Sequence, residues 1–287
     1  MNFLAGLFFA FLWGSASTAG KYGFQSVEPL VLYVARFFLA GLILIAYSAI
    51  RYGRWFPTKS EWGPITLFSI LNTVIYLGVF AYALQMVAAG ITTLTVALNP
   101  LMISVFSSLL LRRRVPFRTW VGITLGMLGV GVSVFPLLQT VHVNGLGLGL
   151  LVVCMISYSL AAVYYARQGW QSPCSLLNGW QALVGGLILL PICIGFSHRP
   201  NIFDQRFFLS LFWLAIPVSV GSIQLWLYLI RKDAVKASLW LFICPVFGFL
   251  LSHTLLSEPF TVWTAAGAVI VIGGMYVGSI EKQIGER

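Results

Sequence analysis

Ten apolar runs separated by short polar stretches dominate this chain of 287 residues. They are Phe3–Gly20, Pro29–Ile50, Pro64–Met86, Ile91–Leu111, Thr119–Pro136, Gly145–Ala166, Ser175–Gly195, Leu209–Ile230, Ala237–Leu256 and Phe260–Ile280. About 20 apolar residues in a helix cross the ~30 Å hydrocarbon layer of a bilayer. A backbone facing lipid must satisfy its own polar groups, and the period-2 alternation of barrel strands is absent, so the runs predict helices. Only 8% of residues are charged, against about 25% in soluble domains. The expected fold class is all-α: a polytopic membrane protein of ten transmembrane helices, with the lipid bilayer as its surroundings. The start Met1-Asn2-Phe3 lacks the basic region and cleavage pattern of a leader, so the first run is expected to stay as a span.

The net charge of +10 is explained by where the cations fall. Counting loops by alternation, 13 Lys and Arg lie on the side of the N-terminus, including Arg51, Arg54, Lys59, Arg112–Arg114, Arg231 and Lys232. The opposite side holds 3: Lys21, Arg199 and Arg206. This bias predicts cytoplasmic N- and C-termini in a cell (inner) membrane. It accounts for the basic composition without a nucleic-acid partner. The four cysteines, Cys154, Cys174, Cys193 and Cys244, show no C-x-x-C spacing and read as small buried hydrophobes. No cofactor and no metal site is expected.

The second half echoes the first at a shift of 145 residues without gaps. Trp13 falls on Tyr158, Ala16 on Ala161, Gly41 on Gly186, Pro100 on Pro245, Gly122 on Gly267 and Gly129 on Gly274. Each copy holds five spans, an odd number, so the second copy must be inverted relative to the first. The expected units are 1–140 (helices 1–5) and 141–287 (helices 6–10 and a short tail). Inverted repeats suit a carrier that exposes a midplane site alternately to the two sides. Pro100 and Pro245 fall near the middle of the fourth and ninth runs. There a proline would remove a backbone hydrogen bond and bend the helix. Interrupted helices at matched positions point to a binding site, so these two are candidate hinges.

These residues resemble the EamA branch of the drug/metabolite transporter superfamily. Phe11-Leu12-Trp13-Gly14-Ser15 is similar to that family's opening motif, and Arg36-Phe37-Phe38-Leu39-Ala40 to its second-helix motif. Pro100 through Gly122 and Gly129 resembles the fourth-to-fifth helix signature, which Pro245, Glu258, Gly267 and Gly274 repeat. The chain departs from the family pattern where Arg113 stands opposite Glu258. The resemblance implies small-solute transport by alternating access, with a cavity lined by helices 1–4 and 6–9. It implies peripheral fifth and tenth helices, here with Gly122-x3-Gly126 and Gly274-x3-Gly278, spacings that allow close packing within a monomer or across a homodimer.

Polar and aromatic residues within the spans are the candidates for substrate contact. Arg36 is the only residue charged at neutral pH inside a run. A charge at the bilayer centre costs ~2.5–3.5 kcal/mol on insertion scales, so Arg36 must face protein or water. It is a partner for a substrate carboxylate or phosphate, or else a structural Arg bonded to helix carbonyls. Asn72, Tyr76 and Phe80 share one helical face, as do Thr92, Thr95, Val96 and Asn99. Asn72 and Asn99 can hydrogen-bond a polar solute or glue helices together; Tyr76, Trp13 and Tyr158 can form aromatic walls. Asn99 and Leu241 are chosen by nearness to the prolines, with Ser238 and Trp240 beside them.

No acid lies deep in a span, so a midplane carboxylate relay is missing. Facilitated diffusion or exchange fits that inventory; proton antiport through His253 or a peripheral Glu stays open. An intramembrane enzyme lacks support, with no H-E-x-x-H, no paired intramembrane Asp and no nucleotide loop. A channel lacks a filter-like segment or charged ring. The expected function is a secondary carrier of a small-molecule substrate, most naturally an exporter of amino acids or related compounds. The alternative is an exchanger of anionic sugar-phosphate or nucleotide derivatives.

Overall fold

A computed structural model describes residues 3–83, 86, 96, 98–112, 114–138, 145–196, 199–256 and 261–279. Thr92, Thr95, Arg113 and Glu258 lie outside them. Among the described residues the chain is helical, with no strand. The elements are α1 (Phe3–Gly23), α2 (Pro29–Tyr52) and α3, which runs Trp62–Ser69, Ile70–Val79 and Phe80–Ala83. Next come α4 (Asn99–Leu110), α5 (Phe117–Leu138), α6 (Gly145–Arg167) and α7 (Cys174–Phe196). Then α8 runs Gln205–Trp213, Leu214–Ser222 and Ile223–Lys232. Last are α9, in two pieces Ala234–Ser238 and Cys244–Leu256, and α10 (Val262–Ser279). Helices α1, α2, α3, α6, α7 and α8 are each long and apolar enough to cross a membrane, and shorter apolar stretches lie in α4, α9 and α10.

Local chemistry sets the ends. Pro29 opens α2, where its missing N–H costs nothing. Gly53 closes it with φ 66°, its N–H bonded to the Ala49 carbonyl, a left-handed cap that glycine adopts without strain. Asp204 caps α8 by accepting from the Phe207 N–H at 3.1 Å, and Asp233 separates α8 from α9 by accepting from the Lys236 N–H at 3.0 Å. The middle of α3 (Ile70–Val79) and of α8 (Leu214–Ser222) winds as a π-helix. Pro217, which has no N–H to give, sits inside the second.

Pro245 corrects one expectation. Pro100 lies in the first turn of α4, and Pro245 in the first turn of the second piece of α9. Pro245 does not bend a continuous helix. Before Pro245 the chain tightens into a 3₁₀ stretch, Leu239–Phe242, where the Ile243 N–H reaches back to the Trp240 carbonyl at 3.1 Å. The break precedes the proline, because a first-turn residue has no intrahelical bond to lose.

Packing repeats itself when each helix is exchanged with the one five places on. The contact of α1 with α9 answers that of α6 with α4; α1 with α8 answers α6 with α3; α2 with α8 answers α7 with α3; α2 packs on α7, and α5 on α10. The glycines show the correspondence atom by atom. A Cβ on Gly41 would stand 2.7 Å from the Leu183 side chain, and one on Gly186 would stand 3.6 Å from Phe38. Gly122 faces the Gly274 carbonyl and Gly129 the Gly267 carbonyl. Numbering rises on α5 as it falls on α10, so these helices cross antiparallel, backbone against backbone, within one chain. They bury only a small cluster with α9 (Ile123, Val130, Leu239, Phe242, Val271). The main core joins α1, α2, α3, α4, α6, α7, α8 and α9.

Candidate functional site

The core of the bundle is an aromatic cluster from four helices. Tyr158 on α6 is its hub: its ring centroid lies 4.6 Å from Tyr76 (α3), 5.6 Å from Trp226 (α8) and 6.2 Å from Trp13 (α1). Phe9 stacks on Trp226 at 5.2 Å and Phe80 meets Tyr76 at 5.7 Å. Trp13, Tyr76 and Tyr158, chosen from sequence, are thus brought together. Phe9 and Trp226 were missed; among 22 Phe and 10 Trp no local signal marks the rings that meet.

Arg36 adjoins this cluster and is 1% exposed. Its Nε donates to the Ser219 hydroxyl at 2.7 Å, on the π-helical stretch of α8. Its Cζ lies 5.4 Å from the Tyr33 ring centroid and 5.8 Å from that of Phe37. The hydroxyls of Tyr33 and Tyr76 are within electrostatic range. One terminal nitrogen, Nη2, is buried with no hydrogen-bond partner. The guanidinium is therefore anchored on one side and unmet on the other.

The residue 145 places on, Gln181, occupies the matching position on α7 and behaves differently. Its Oε1 accepts from Thr73 Oγ1 at 2.9 Å and from Asn72 Nδ2 at 3.3 Å, and its Nε2 donates to Asn178 Oδ1 at 2.9 Å. Asn178 in turn donates to the Ser219 carbonyl at 3.1 Å. This neutral knot pairs Asn72 within the protein. The repeat offset pointed to Gln181; Ser219 carried no sequence signal beyond its nearness to Pro217.

The remaining candidates divide. Asn99 Oδ1 accepts from Ser159 Oγ at 3.2 Å, while its Nδ2 is buried without a partner. The Tyr158 hydroxyl is likewise buried and unpartnered. Ser238 is satisfied by the Val235 carbonyl at 2.7 Å, and Leu241 is fully buried in the 3₁₀ stretch. Trp240 fills the space beside Gly6 and meets Phe3 edge-on at 5.4 Å. All three lie at the α9 break. Among the described residues no group of three or more His, Cys, Asp and Glu gathers to hold a metal.

The EamA-like transporter family's sequence pattern matches residues 2–135 and again residues 145–280. The chain belongs to the EamA-like transporter family. As an EamA-like transporter it is a multi-pass membrane transporter of the drug/metabolite type, and not an enzyme. A transporter from Archaeoglobus fulgidus is 27% identical over 280 residues, 92% of this chain and 94% of that protein. A chloroplastic WAT1-related protein of Arabidopsis thaliana is 25% identical over 280 residues, 93% of this chain and 66% of the plant protein. Protein PecM of Dickeya dadantii is 23% identical over 271 residues, 93% of this chain and 88% of its own length. A solved crystal structure shares the fold at TM-score 0.82 and 19% identity, covering 96% of this chain and 95% of that one.

Proposed function

We propose that this EamA-like transporter is a secondary carrier that exports amino acids or closely related small carboxylates. Its two inverted halves, 1–140 and 141–287, move by alternating access in the cell (inner) membrane, both termini cytoplasmic. The observation that carries the substrate class is the unmet Arg36 Nη2. A buried polar group left without a partner costs ~1–3 kcal/mol, more for a charged group. A ligand carboxylate supplies the missing acceptor as a charge-assisted bond. The surrounding rings supply apolar contact for the rest of a small solute. The inverted arrangement is supported by the antiparallel crossing of α5 with α10, which are equivalent helices under the repeat. The outward direction is part of this proposal and is read by the assay. The described residues around Arg36 offer one cation, which suits a carboxylate better than a phosphate dianion.

The test is counterflow of labelled L-leucine and L-phenylalanine in proteoliposomes. Arg36→Gln is expected to raise KM more than tenfold while the purified chain melts as a folded protein. Arg36→Lys, which keeps the charge but loses the bond to Ser219, is expected to retain part of the activity. A Gln variant that exchanges both amino acids normally would sink the carboxylate reading. A Gln variant that does not fold assigns Arg36 to structure alone. Net uptake rather than efflux of the labelled amino acids by cells carrying the protein would overturn the direction.

A further inference from the structure

The amino-acid reading leaves a difficulty: a zwitterion brings an ammonium as well as a carboxylate, and a buried ammonium needs an acceptor. The chain has 7 acidic residues, Glu28, Glu61, Asp204, Asp233, Glu258, Glu281 and Glu286. Glu28, Glu61, Asp204 and Asp233 stand at the ends of helices, away from the aromatic cluster. Glu258, Glu281 and Glu286 follow the second piece of α9 or α10 in the sequence. Among the described residues, neutral oxygen and ring faces are the groups that can meet the ammonium.

One group fits. The Tyr158 side chain is 1% exposed and its hydroxyl has no hydrogen-bond partner. Its ring is held in place by Tyr76, Trp226 and Trp13. The Tyr76 ring, 4.6 Å from that of Tyr158 between centroids, is the nearest of these rings. A phenolic oxygen is an acceptor as well as a donor. Trp and Tyr faces attract a desolvated cation. We propose that Tyr158 is the ammonium-binding, specificity-determining residue of the carrier: its hydroxyl accepts a hydrogen bond from the substrate ammonium, backed by the rings of Trp13 and Tyr76. This rests on the carboxylate reading of Arg36. The zwitterion then lies across both halves of the chain, carboxylate toward α2 and ammonium toward α6.

The test separates the two poles with three probes: L-phenylalanine, 3-phenylpropanoate, which lacks the ammonium, and 2-phenylethylamine, which lacks the carboxylate. Binding is read as ligand-induced thermal shift and as competition against labelled L-phenylalanine. Tyr158→Phe keeps the ring and removes the hydroxyl. It is expected to weaken L-phenylalanine and 2-phenylethylamine on the order of tenfold, the loss of one hydrogen bond to a charged group, and to leave 3-phenylpropanoate unchanged. The empty Tyr158→Phe chain is expected to melt no lower than wild type, because an unpartnered hydroxyl holds nothing together. Equal weakening of all three probes, or of none, overturns the proposal. So does failure of Tyr158→Phe to fold. Arg36→Gln is the complementary arm: it is expected to weaken 3-phenylpropanoate and spare 2-phenylethylamine. If it spares 3-phenylpropanoate while Tyr158→Phe still discriminates, the carboxylate reading fails and the ammonium site stands. A wild-type chain that binds none of the probes overturns both.

Discussion

Replacing Gly274 by alanine tests the backbone crossing of α5 and α10. The new Cβ would stand 2.7 Å from the Gly126 nitrogen, 2.8 Å from the Gly122 carbonyl oxygen and 3.0 Å from the Leu125 Cβ. Ordinary carbon contacts begin near 3.4 Å, so the helices must part by about 0.6–0.7 Å at this point. Two of the three obstacles are backbone atoms, and no rotamer change relieves them. Overpacking of this kind costs typically ~1–3 kcal/mol. At about 2–4 °C per kcal/mol for a chain of 150–250 residues, Gly274→Ala is expected to lower Tm by roughly 2–12 °C. The neighbouring residue is the control. A Cβ on Gly273 meets nothing within 4 Å, and alanine is the better helix former by up to ~1 kcal/mol. Gly273→Ala is therefore expected to melt at or slightly above wild type. Both variants are read by thermal unfolding of detergent-purified protein. If Gly274→Ala melts with Gly273→Ala, the close crossing does not exist and the pairing of α5 with α10 is wrong.

Other perturbations have equally definite outcomes. Gln181→Leu strips the acceptor from Asn72 and Thr73 and the donor from Asn178; intramembrane hydrogen bonds average ~0.6 kcal/mol, so a loss of about 1–2 kcal/mol in melting experiments is expected, with the ranking of the three phenyl probes unchanged. Glu61 accepts from the Gln171 and Ser172 N–H groups at 2.7 and 3.0 Å and from the Ser172 and Thr58 hydroxyls at 2.5 and 2.9 Å. Burial acts to raise its carboxyl, but the hydrogen bonds from Ser172, Thr58 and Gln171 outweigh it and hold the value down at about 2. A depressed carboxylate contributes stability that is fully present above its ordinary value near 4.5 and is lost as pH falls through about 2. Melting between those limits should fall with pH in wild type, and Glu61→Gln should flatten that dependence while costing stability at neutral pH; identical pH profiles would refute it.

How much of this was legible depends on the kind of signal. The spans were readable because apolar length is a local property set by bilayer thickness. Arg36 was readable because a charge in an apolar run has few physical excuses, and Trp13, Tyr76 and Tyr158 because large polar-edged rings stand out. The two π-helical stretches were not: a period near 4.4 is lost in segments where almost every residue is apolar, and only Pro217 hints at one of them. Pro245 was misplaced for the same reason. The apolar pattern runs unbroken through the 3₁₀ stretch Leu239–Phe242, so sequence could not show that the helix had already ended. Asn72 was chosen as a polar residue on a helical face, yet which partner such a residue finds is a tertiary fact. Its partner, Gln181, was reachable through the repeat offset from Arg36.

That offset also organises the loops, and this bears on what can move. At one end Glu61 ties the turn before α3 to Gln171 and Ser172 between α6 and α7. At the other end Asp204, just before α8, accepts from the Ser26 hydroxyl at 2.9 Å, between α1 and α2. Ser26 and Gln171 are 145 residues apart, so these are equivalent ties on opposite ends, and both are closed at once. A gate that alternates is open on one side whenever the substrate can leave. If the carrier rocks between two open forms, either one tie breaks in each form or both hold throughout while other helices move. A double-cysteine crosslink between positions 26 and 204, and separately between 61 and 172, decides between them. Flux that survives both crosslinks makes the ties fixed rivets of α2, α3, α7 and α8 and assigns the motion to α1, α4, α6 and α9. Flux abolished by either one makes that tie a gate.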